Sequence, residues 1–240
     1  MSVSQLEKDL NALKNTEQAK LLQRFFKTAP GEYGHGDIFL GIMVPTQRKI
    51  CKKYMNLNFT ELQKLLNSKI HEHRFCALAI LVNQYKNSDN LQKEEIFNFY
   101  IKNSKKINNW DLVDNSAPKI VGEYLLDKNP STSLRTSKKV LYKLAKSKNL
   151  WQKRIAIIAT FSFIKENQFN DTLKISKILL KDKRDLIHKA VGWMLREVGK
   201  RNKSLETKFI KANIKKMPRI TLIYALEKHT KEEKEFILNL

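Results

Sequence analysis

The sequence predicts an all-α fold, and three observations support this prediction. Apolar residues recur at intervals of three and four along most of the 240-residue chain, the spacing of one helix face. The chain has only seven Gly and five Pro, well below the usual shares of about 7% and 5%, so it has little material for tight hairpin turns. Four similar segments start at Arg74, Asp114, Arg154 and Lys189, with spacings of 40, 40 and 35 residues. Antiparallel helix pairs at this period are typical of an α-solenoid of HEAT-like repeats, and an irregular helical bundle is the alternative.

The predicted helices follow one another in pairs along the chain. Residues 3–27 predict one or two helices, and Pro45 marks the start of the next, because proline is favoured in the first helical turn. The glycine-rich segment PGEYGHGDIFLG at 30–41 is the loop between them. The remaining segments pair as 59–68 with 71–86, 91–107 with 108–126, 133–147 with 150–165, 170–182 with 185–201, and 206–216 with 218–230. Thr60 is the predicted cap of the segment that begins at residue 59.

This array is predicted to form one HEAT-like repeat domain over residues 1–240. Cys51 and Cys76 have neither disulfide nor metal spacing, which favours a reducing, cytoplasmic environment. The polar N-terminal segment does not resemble a secretory signal, and no apolar run approaches the roughly 18 residues needed to span a membrane. A net charge of +22 resists self-association, so we expect a monomer.

The cations at the repeated position are the first candidates for a binding surface. Lys and Arg total 46 against 24 for Asp and Glu, a balance that steers a protein toward polyanions, although a biased genome composition can also produce it. In a solenoid the second helix of each pair lines the concave face. We therefore expect Arg74, Arg154, Lys189 and Arg219, with Lys153, to form a basic concave groove that binds phosphates without base specificity. An ordinary solvated helix face is the alternative.

Each of the three tryptophans lies within four residues of the repeated position in its segment. Trp110 precedes it by four residues, Trp151 precedes it by three, and Trp193 follows it by four. Indole faces stack on bases and attract cationic rings. We expect Trp110 and Trp193 to line the groove, whereas Trp151 has a comparable chance of being a core residue.

Asp114 is the one carboxylate at a position that is otherwise occupied by cations. Such a group is unsuited to phosphate, but beside aromatic rings it can stabilise the positive charge that develops on a sugar when a glycosidic bond breaks. The alternative is an ion pair with Arg154 or Arg74. Asp111, three residues earlier, could share the acid role but is better explained as a capping or structural residue.

Other chemistry has little support in the sequence. His71 and His73 lack clustered Cys or acidic partners, so neither a metal nor a cofactor is predicted. Glycine-rich nucleotide loops and nucleophile elbows are absent. Tyr33, His35 and Asp37 in the 30–41 loop could reach a ligand, or the loop could be a plain connector.

Several sequence strings resemble the AlkD-like DNA alkylation repair family. They are FLGIMVP, NNWDLVDNSAPKIVG, NLWQKRIAI and IHKAVGWMLREVGKR, and the resemblance extends over roughly residues 20 to 230. It implies a HEAT-like fold with a basic groove that holds duplex DNA. It further implies DNA glycosylase activity on positively charged alkylated purines such as 3-methyladenine and 7-methylguanine.

The resemblance also implies roles for individual residues. The family's catalytic set falls on Trp110, Asp114 and Trp193, and its DNA-contacting arginine falls on Arg154; no metal or cofactor is needed. This chain departs from the family pattern at Met43, where the best-known members have Gln. The glycine-rich loop before it has the longer form that is typical of a broader branch of the family. The competing hypotheses are a non-catalytic HEAT-repeat protein that binds damaged or branched DNA, and a protein-interaction scaffold, which the net charge disfavours.

Overall fold

The computed structural model describes residues 2–126 and 138–238, and it confirms the all-α prediction. The described residues contain no β-strand, only an isolated parallel bridge between Ile38 and Ile70. The chain divides into two compact units, Met1–Ser116 and Ala117–Leu240. A single repeat domain over residues 1–240 stays a prediction, since a continuous repeat array also divides into groups of neighbouring helices.

The first unit is built around α5, the longest of its helices. Its helices are α1 (Val3–Asn11), α2 (Thr16–Phe25), α3 (Val44–Cys51), followed by a 3-10 turn (Lys52–Tyr54), α4 (Phe59–Leu66), α5 (His71–Asn87), α6 (Asn90–Lys102) and α7 (Trp110–Ala117, whose last residue begins the second unit). Helices α3, α4 and α6 all pack against α5. Because only residues 67–70 separate α4 from α5, these two helices run antiparallel, as predicted for a helix pair. Their contact surface is apolar and includes the buried residues Leu62, Leu65, Phe75 and Leu78.

The cap of α4 is Asn58, and the prediction of Thr60 was wrong. The Asn58 side chain accepts a hydrogen bond from the Glu61 backbone N–H at 3.0 Å, and the Glu61 carboxylate accepts one from the Asn58 backbone N–H at 3.2 Å. This reciprocal arrangement satisfies two backbone donors at the start of the helix. Thr60 is the second residue of α4, two positions beyond the cap and already inside the helix.

The glycine-rich 30–41 segment is tied into the core of the first unit. Buried Glu72 accepts backbone N–H groups from Leu40, Gly41 and Ile42 at 3.0, 2.9 and 3.2 Å. Gly41 has φ +86°, and a Cβ on it would lie 2.1 Å from the carbonyl oxygen of Asn15, so only glycine fits there. The end of this segment is therefore a packed element of the unit.

The second unit is built around α13. Its elements are a π-helical turn (Pro118–Gly122), α8 (Glu123–Leu125), α9 (Lys139–Ala145), α10 (Leu150–Ala159), α11 (Phe161–Lys165), α12 (Asn170–Leu179), α13 (Asp185–Gly199), α14 (Lys203–Asn213), α15 (Arg219–Ala225) and α16 (Lys231–Leu238), with 3-10 turns at Ile214–Lys216 and Leu226–Lys228. Helix α13 packs against α10, α12, α14 and α15. The first part of the helix predicted at 133–147 lies outside the described residues, and α16 was not predicted.

Close packing in the second unit depends on Gly192 in α13. A Cβ at this position would lie 2.6 Å from the carbonyl oxygen of Thr221 in α15, so glycine is needed for the two helices to approach this closely. The neighbouring side chains Val191 and Met194 are buried. None of the helices in the described part of the chain is long and apolar enough to cross a membrane.

Candidate functional site

Trp110 begins α7, and Asp114 lies one turn further along the same face of the helix. Residues four positions apart in a helix are neighbours on one face. Asn109 precedes the helix, and its side-chain oxygen accepts the Trp110 backbone N–H at 2.8 Å. Both Trp110 and Asp114 are half-buried. Burial raises the pKa of the Tyr100 hydroxyl, and the negative charge of Asp114 raises it further, although a hydrogen bond with Ser116 lowers it. The Asp114 carboxylate is therefore close enough to the buried Tyr100 to act on it electrostatically.

Two phenylalanines from the end of α2 surround the Trp110 indole. Phe26 is buried and stacks on the indole, with ring centroids 5.2 Å apart and planes inclined by 20°. Phe25 meets the same indole edge to face at 5.9 Å and is 62% exposed. Aromatic surface therefore extends from Trp110 to the outside of the unit. Phe25 was not predicted as a site residue, although adjacent residues lie about 100° apart around a helix, so the pair cannot both face the core.

An exposed arginine lies next to the same turn of α7. The Arg48 guanidinium donates a hydrogen bond from Nη2 to Oδ1 of Asn115 at 2.8 Å, and it lies 5.8 Å from the centre of the Phe75 ring. Asn115 immediately follows Asp114 in the chain. The sequence analysis missed Arg48 because it lies in α3, outside the 35–40-residue register.

Behind α7 lies a buried network of four charged side chains. His71 Nδ1 lies 3.2 Å from Asp37 Oδ2, and His71 Nε2 lies 2.8 Å from Asp111 Oδ2. Arg74 Nη2 lies 2.7 Å from the same oxygen of Asp37. All four residues are buried. Two carboxylates and two basic groups thus neutralise each other inside the first unit, as buried charges require.

The pKa values of this network follow from its geometry. Burial disfavours a charge on His71, yet the Asp111 carboxylate and the hydrogen bonds to Asp111 and Asp37 raise the pKa of His71 to about 9. Burial likewise opposes ionisation of Asp37, but His71 and Arg74 hold the pKa of Asp37 below its usual value. His73, two residues along α5, behaves differently: burial and the charge of Arg74 lower its pKa to about 4. His71 is therefore cationic at neutral pH, and His73 is neutral.

The network changes the interpretation of two predicted residues. Arg74 has a structural role in this conformation, because the residue is 3% exposed and its guanidinium lies 2.7 Å from Asp37 and from the Ser68 carbonyl oxygen. Its role as a DNA contact stays a prediction. The structural interpretation of Asp111 agrees with its contacts, since it accepts His71 on one oxygen and the Leu112 backbone N–H, at 2.8 Å, on the other.

The loop residues take different positions. Asp37 faces the interior, and His35 is exposed. Tyr33 is half-buried. Among the described residues, no group of three or more His, Cys, Asp or Glu side chains is placed to hold a metal ion.

In the second unit, Lys189 and Trp193 lie on one face of α13, four positions apart, and both are half-buried. Trp193 donates a hydrogen bond from Nε1 to Glu197 Oε1 at 3.1 Å, and its ring lies 6.1 Å from that of Phe161. Trp151 is buried among the core residues of this unit, which agrees with its interpretation as a core residue.

The other predicted cations of the second unit differ in accessibility. Arg154 is 6% exposed and donates from Nη1 to the Leu186 carbonyl oxygen at 2.7 Å. Lys153 is half-buried, with its Nζ 2.6 Å from Asp182 Oδ2. Burial opposes ionisation of Asp182, but Arg184 and Lys153 hold the pKa of Asp182 well below its usual range. Arg219, at the start of α15, is exposed.

Comparison with known proteins agrees with the resemblance noted in the sequence. The family described as DNA alkylation repair enzyme matches residues 6–229. A solved structure, described as a predicted DNA alkylation repair enzyme from Enterococcus faecalis, aligns with a TM-score of 0.69 and 17% identity over 91% of this chain and 97% of that chain. At this identity the likeness concerns the fold alone. A search of curated proteins found no match. Because the family match spans nearly the whole chain, this protein belongs to the DNA alkylation repair enzyme family.

Proposed function

We propose that the protein is a DNA glycosylase that hydrolyses the N-glycosidic bond of cationic alkylated purines, such as 3-methyladenine and 7-methylguanine, in duplex DNA. The observation that carries the proposal is the pairing of Asp114 with Trp110 on one face of α7, with further aromatic surface from Phe25 beside it. This combination suits a developing sugar cation better than a phosphate. Membership of a DNA repair family supports the choice of DNA as substrate.

In the proposed reaction the bond between C1′ of the deoxyribose and the purine nitrogen breaks, and its electron pair leaves with the base. A cationic base becomes neutral by taking that pair, so the leaving group needs no proton from the protein. The Asp114 carboxylate stabilises the oxocarbenium-like sugar, and Trp110 packs against it. Water then adds to C1′, and its surplus proton passes to the solvent, which leaves the neutral abasic sugar. Packing of Trp193 on the same sugar remains a prediction from the family resemblance.

The cationic side chains proposed to bind DNA differ in how exposed they are. Arg48 and Arg219 are exposed, and Lys189 is half-buried, as Lys153 is. Arg48 also donates a hydrogen bond to Asn115, the neighbour of Asp114. Arg154 and Lys153 remain predicted DNA contacts, with Arg154 supported by the resemblance. Each phosphate contact contributes to a salt-dependent affinity that does not depend on base sequence.

The decisive experiment measures release of 7-methylguanine from a duplex oligonucleotide under single-turnover conditions. Asp114→Asn is expected to lower the release rate by a factor on the order of 10² to 10³, because it removes the charge that stabilises the sugar cation. The matched control is Asp185→Asn, which removes an exposed carboxylate at the start of α13. Equal release by wild-type protein and Asp114→Asn would falsify the catalytic assignment. Salt-dependent binding without any release would favour the non-catalytic DNA-binding alternative.

A second experiment tests the contribution of Arg48. Arg48→Ala is expected to weaken binding to all duplexes alike and to reduce the salt slope of the affinity by about one ion, as loss of one phosphate contact does. Lys20→Ala, which removes an exposed lysine paired with Glu17 at 2.9 Å, is the charge-matched control. An unchanged salt slope in Arg48→Ala would exclude Arg48 from the interface.

A further inference from the structure

A continuous stack of rings connects the buried charge network to Trp110. The His71 imidazole stacks on Phe39, with ring centroids 4.5 Å apart and planes inclined by 19°. Phe39 stacks on Phe26 at 5.1 Å and 17°, and Phe26 stacks on Trp110 at 5.2 Å and 20°. Four rings thus follow one another at near-parallel angles, from a buried titratable group to the half-buried indole of the candidate site.

A second connection runs from His71 through the backbone. His71 Nε2 holds Asp111, which directly follows Trp110 in the chain. Asp111 in turn accepts the Leu112 backbone N–H on its other oxygen, and its carbonyl oxygen accepts Nδ2 of Asn115 at 2.9 Å. Asn115 is adjacent to Asp114. The Asp111 side chain and backbone therefore organise the turn of α7 that presents the indole and the carboxylate.

We propose that His71 is a positioning residue for the candidate site: by joining Asp37 to Asp111 and supporting the ring stack, it fixes the orientation of Trp110 and of the first turn of α7. The catalytic part of this inference rests on the proposed glycosylase function, whereas the orientation of Trp110 can be measured independently of it. His71 touches neither the sugar nor the base in this scheme and acts only through Trp110 and Asp111.

The protonation of His71 decides how many of these bonds exist. The charged groups that face its ring are Asp37 from the 30–41 loop, Asp111 from α7 and Arg74 from its own helix. When the imidazole is protonated, both ring nitrogens donate, one to each carboxylate. When it loses a proton, only one N–H remains, and one carboxylate becomes a buried charge without that donor. The link between the loop and α7 is therefore complete only in the cationic form, which the raised pKa of about 9 maintains at neutral pH.

The first test compares His71→Gln with His73→Gln. Both histidines are buried in the first turn of α5, but His73 lies 3.1 Å from Ser68 Oγ and belongs to neither the ring stack nor the link to Asp111. The readouts are the indole N–H resonance of Trp110 in ¹⁵N-labelled protein, assigned with Trp110→Phe, and the single-turnover release of 7-methylguanine.

His71→Gln is expected to shift the Trp110 resonance and to lower the release rate by about 10- to 100-fold, as small misplacements of catalytic groups do. His73→Gln is expected to leave the Trp110 resonance and the release rate within twofold of wild type. An unchanged Trp110 resonance in folded His71→Gln, or an equal change in His73→Gln, would overturn the proposal.

The second test follows the Trp110 resonance of the wild-type protein from pH 7 to pH 10.5. A titration with a midpoint near 9 is expected, and it should be lost in His71→Gln. If His71→Gln fails to fold, Asp111→Asn serves instead: it keeps an oxygen that can accept the His71 N–H but removes the charge, so the midpoint should move toward neutral pH. A flat wild-type profile, or an unchanged midpoint in Asp111→Asn, contradicts the proposal.

Failure of the positioning role and failure of the glycosylase function remain distinguishable. Asp114→Asn is expected to lower the release rate by a factor on the order of 10² to 10³, while the Trp110 resonance still titrates with His71. If the wild-type protein releases no base, the proposed function fails, and the resonance measurements alone decide whether His71 orients Trp110. If release occurs but the resonance does not respond to His71→Gln, the positioning role fails and the function stands.

Discussion

Trp110 in the first unit and Trp193 in the second are both half-buried tryptophans near the repeated register, yet they are held in different ways. The Trp110 indole is supported by rings, with Phe26 on its face and Phe25 at its edge. Trp193 is held by a hydrogen bond from Nε1 to Glu197 at 3.1 Å, and the Phe161 ring lies 6.1 Å away at a tilt of 40°. The first indole is therefore held by ring packing, and the second is held by a side-chain hydrogen bond.

The arginines of the two units show a similar contrast. Arg74 and Arg154 both donate to a backbone carbonyl oxygen at 2.7 Å, at the loop or turn that begins a helix. Only Arg74 is also bound into the network around His71, where it lies 2.7 Å from Asp37. The cation at this position of the first unit is therefore part of a buried network of charged groups.

The largest expected effect is on the stability of the first unit. Arg74→Met leaves Asp37 and Asp111 buried with a single cationic partner, so we expect a loss of about 3–5 kcal/mol. Arg154→Met is the matched change in the second unit, and the loss of its hydrogen bond to the Leu186 carbonyl should cost about 1–3 kcal/mol. Urea unfolding of the two variants provides the measurement. An equal loss of unfolding free energy in the two variants would show that the ion pair with Asp37 does not stabilise the first unit.

The next effect is a pH dependence that differs between the units. The pKa of His71 in the folded protein, about 9, exceeds its unfolded value of about 6.5, so its contribution is complete below pH 6.5 and is lost as the pH rises through 9. The size of this contribution is on the order of 3 kcal/mol. Amide hydrogen-exchange protection factors should therefore fall between pH 6.5 and 9 in α5 but not in α13. The fall should disappear in His71→Gln.

At acid pH the two units are expected to behave alike. The pKa values of Asp37 in the first unit and Asp182 in the second are both lowered by basic partners, so each carboxylate contributes stability above its unfolded pKa of about 3.9. That contribution is lost as the pH falls through the folded pKa of each group. Protection factors should therefore decrease in α5 and in α13 as the pH is lowered from 4 to 2. An unchanged protection factor in either helix over this range would contradict the assignment for its unit.

The smallest expected effect concerns Trp193. Glu197→Gln keeps an oxygen acceptor for the indole Nε1–H but removes its charge, so we expect a loss of no more than about 1 kcal/mol. The Trp193 indole resonance should move, while the Trp110 resonance should not. Movement of both resonances would contradict the separate support of the two indoles.

Much of the fold was predictable from the sequence because helix periodicity is local. The spacing of apolar residues predicted α1 to α7 and most helices of the second unit, and Pro45 predicted the start of α3. Thr60 was wrong as a cap because choosing between Asn58 and Thr60 depends on the register of the first turn. Helix α16 was missed because its charged sequence, KEEKEFIL, has a weak apolar face.

The candidate site was only partly predictable. Asp114 stood out because it is a carboxylate at a position otherwise held by cations. Trp110 lies four residues earlier, and this spacing places the two residues on one helix face. Arg48 and Phe25 come from α3 and α2, and they approach α7 only through tertiary packing. The structural role of Arg74 could not be predicted, because its sequence pattern is the same as that of Arg154 and its partner Asp37 lies in a loop 37 residues earlier.

By itself, then, the sequence determined which residues form helices, which faces of those helices are apolar, and that a single acid occupies a position otherwise held by cations. Only the tertiary structure decided which of those cations are buried and which aromatic rings meet. The reason is physical: helix formation depends on neighbours three and four residues apart, whereas the burial and charge of a side chain depend on distant segments that fold against it.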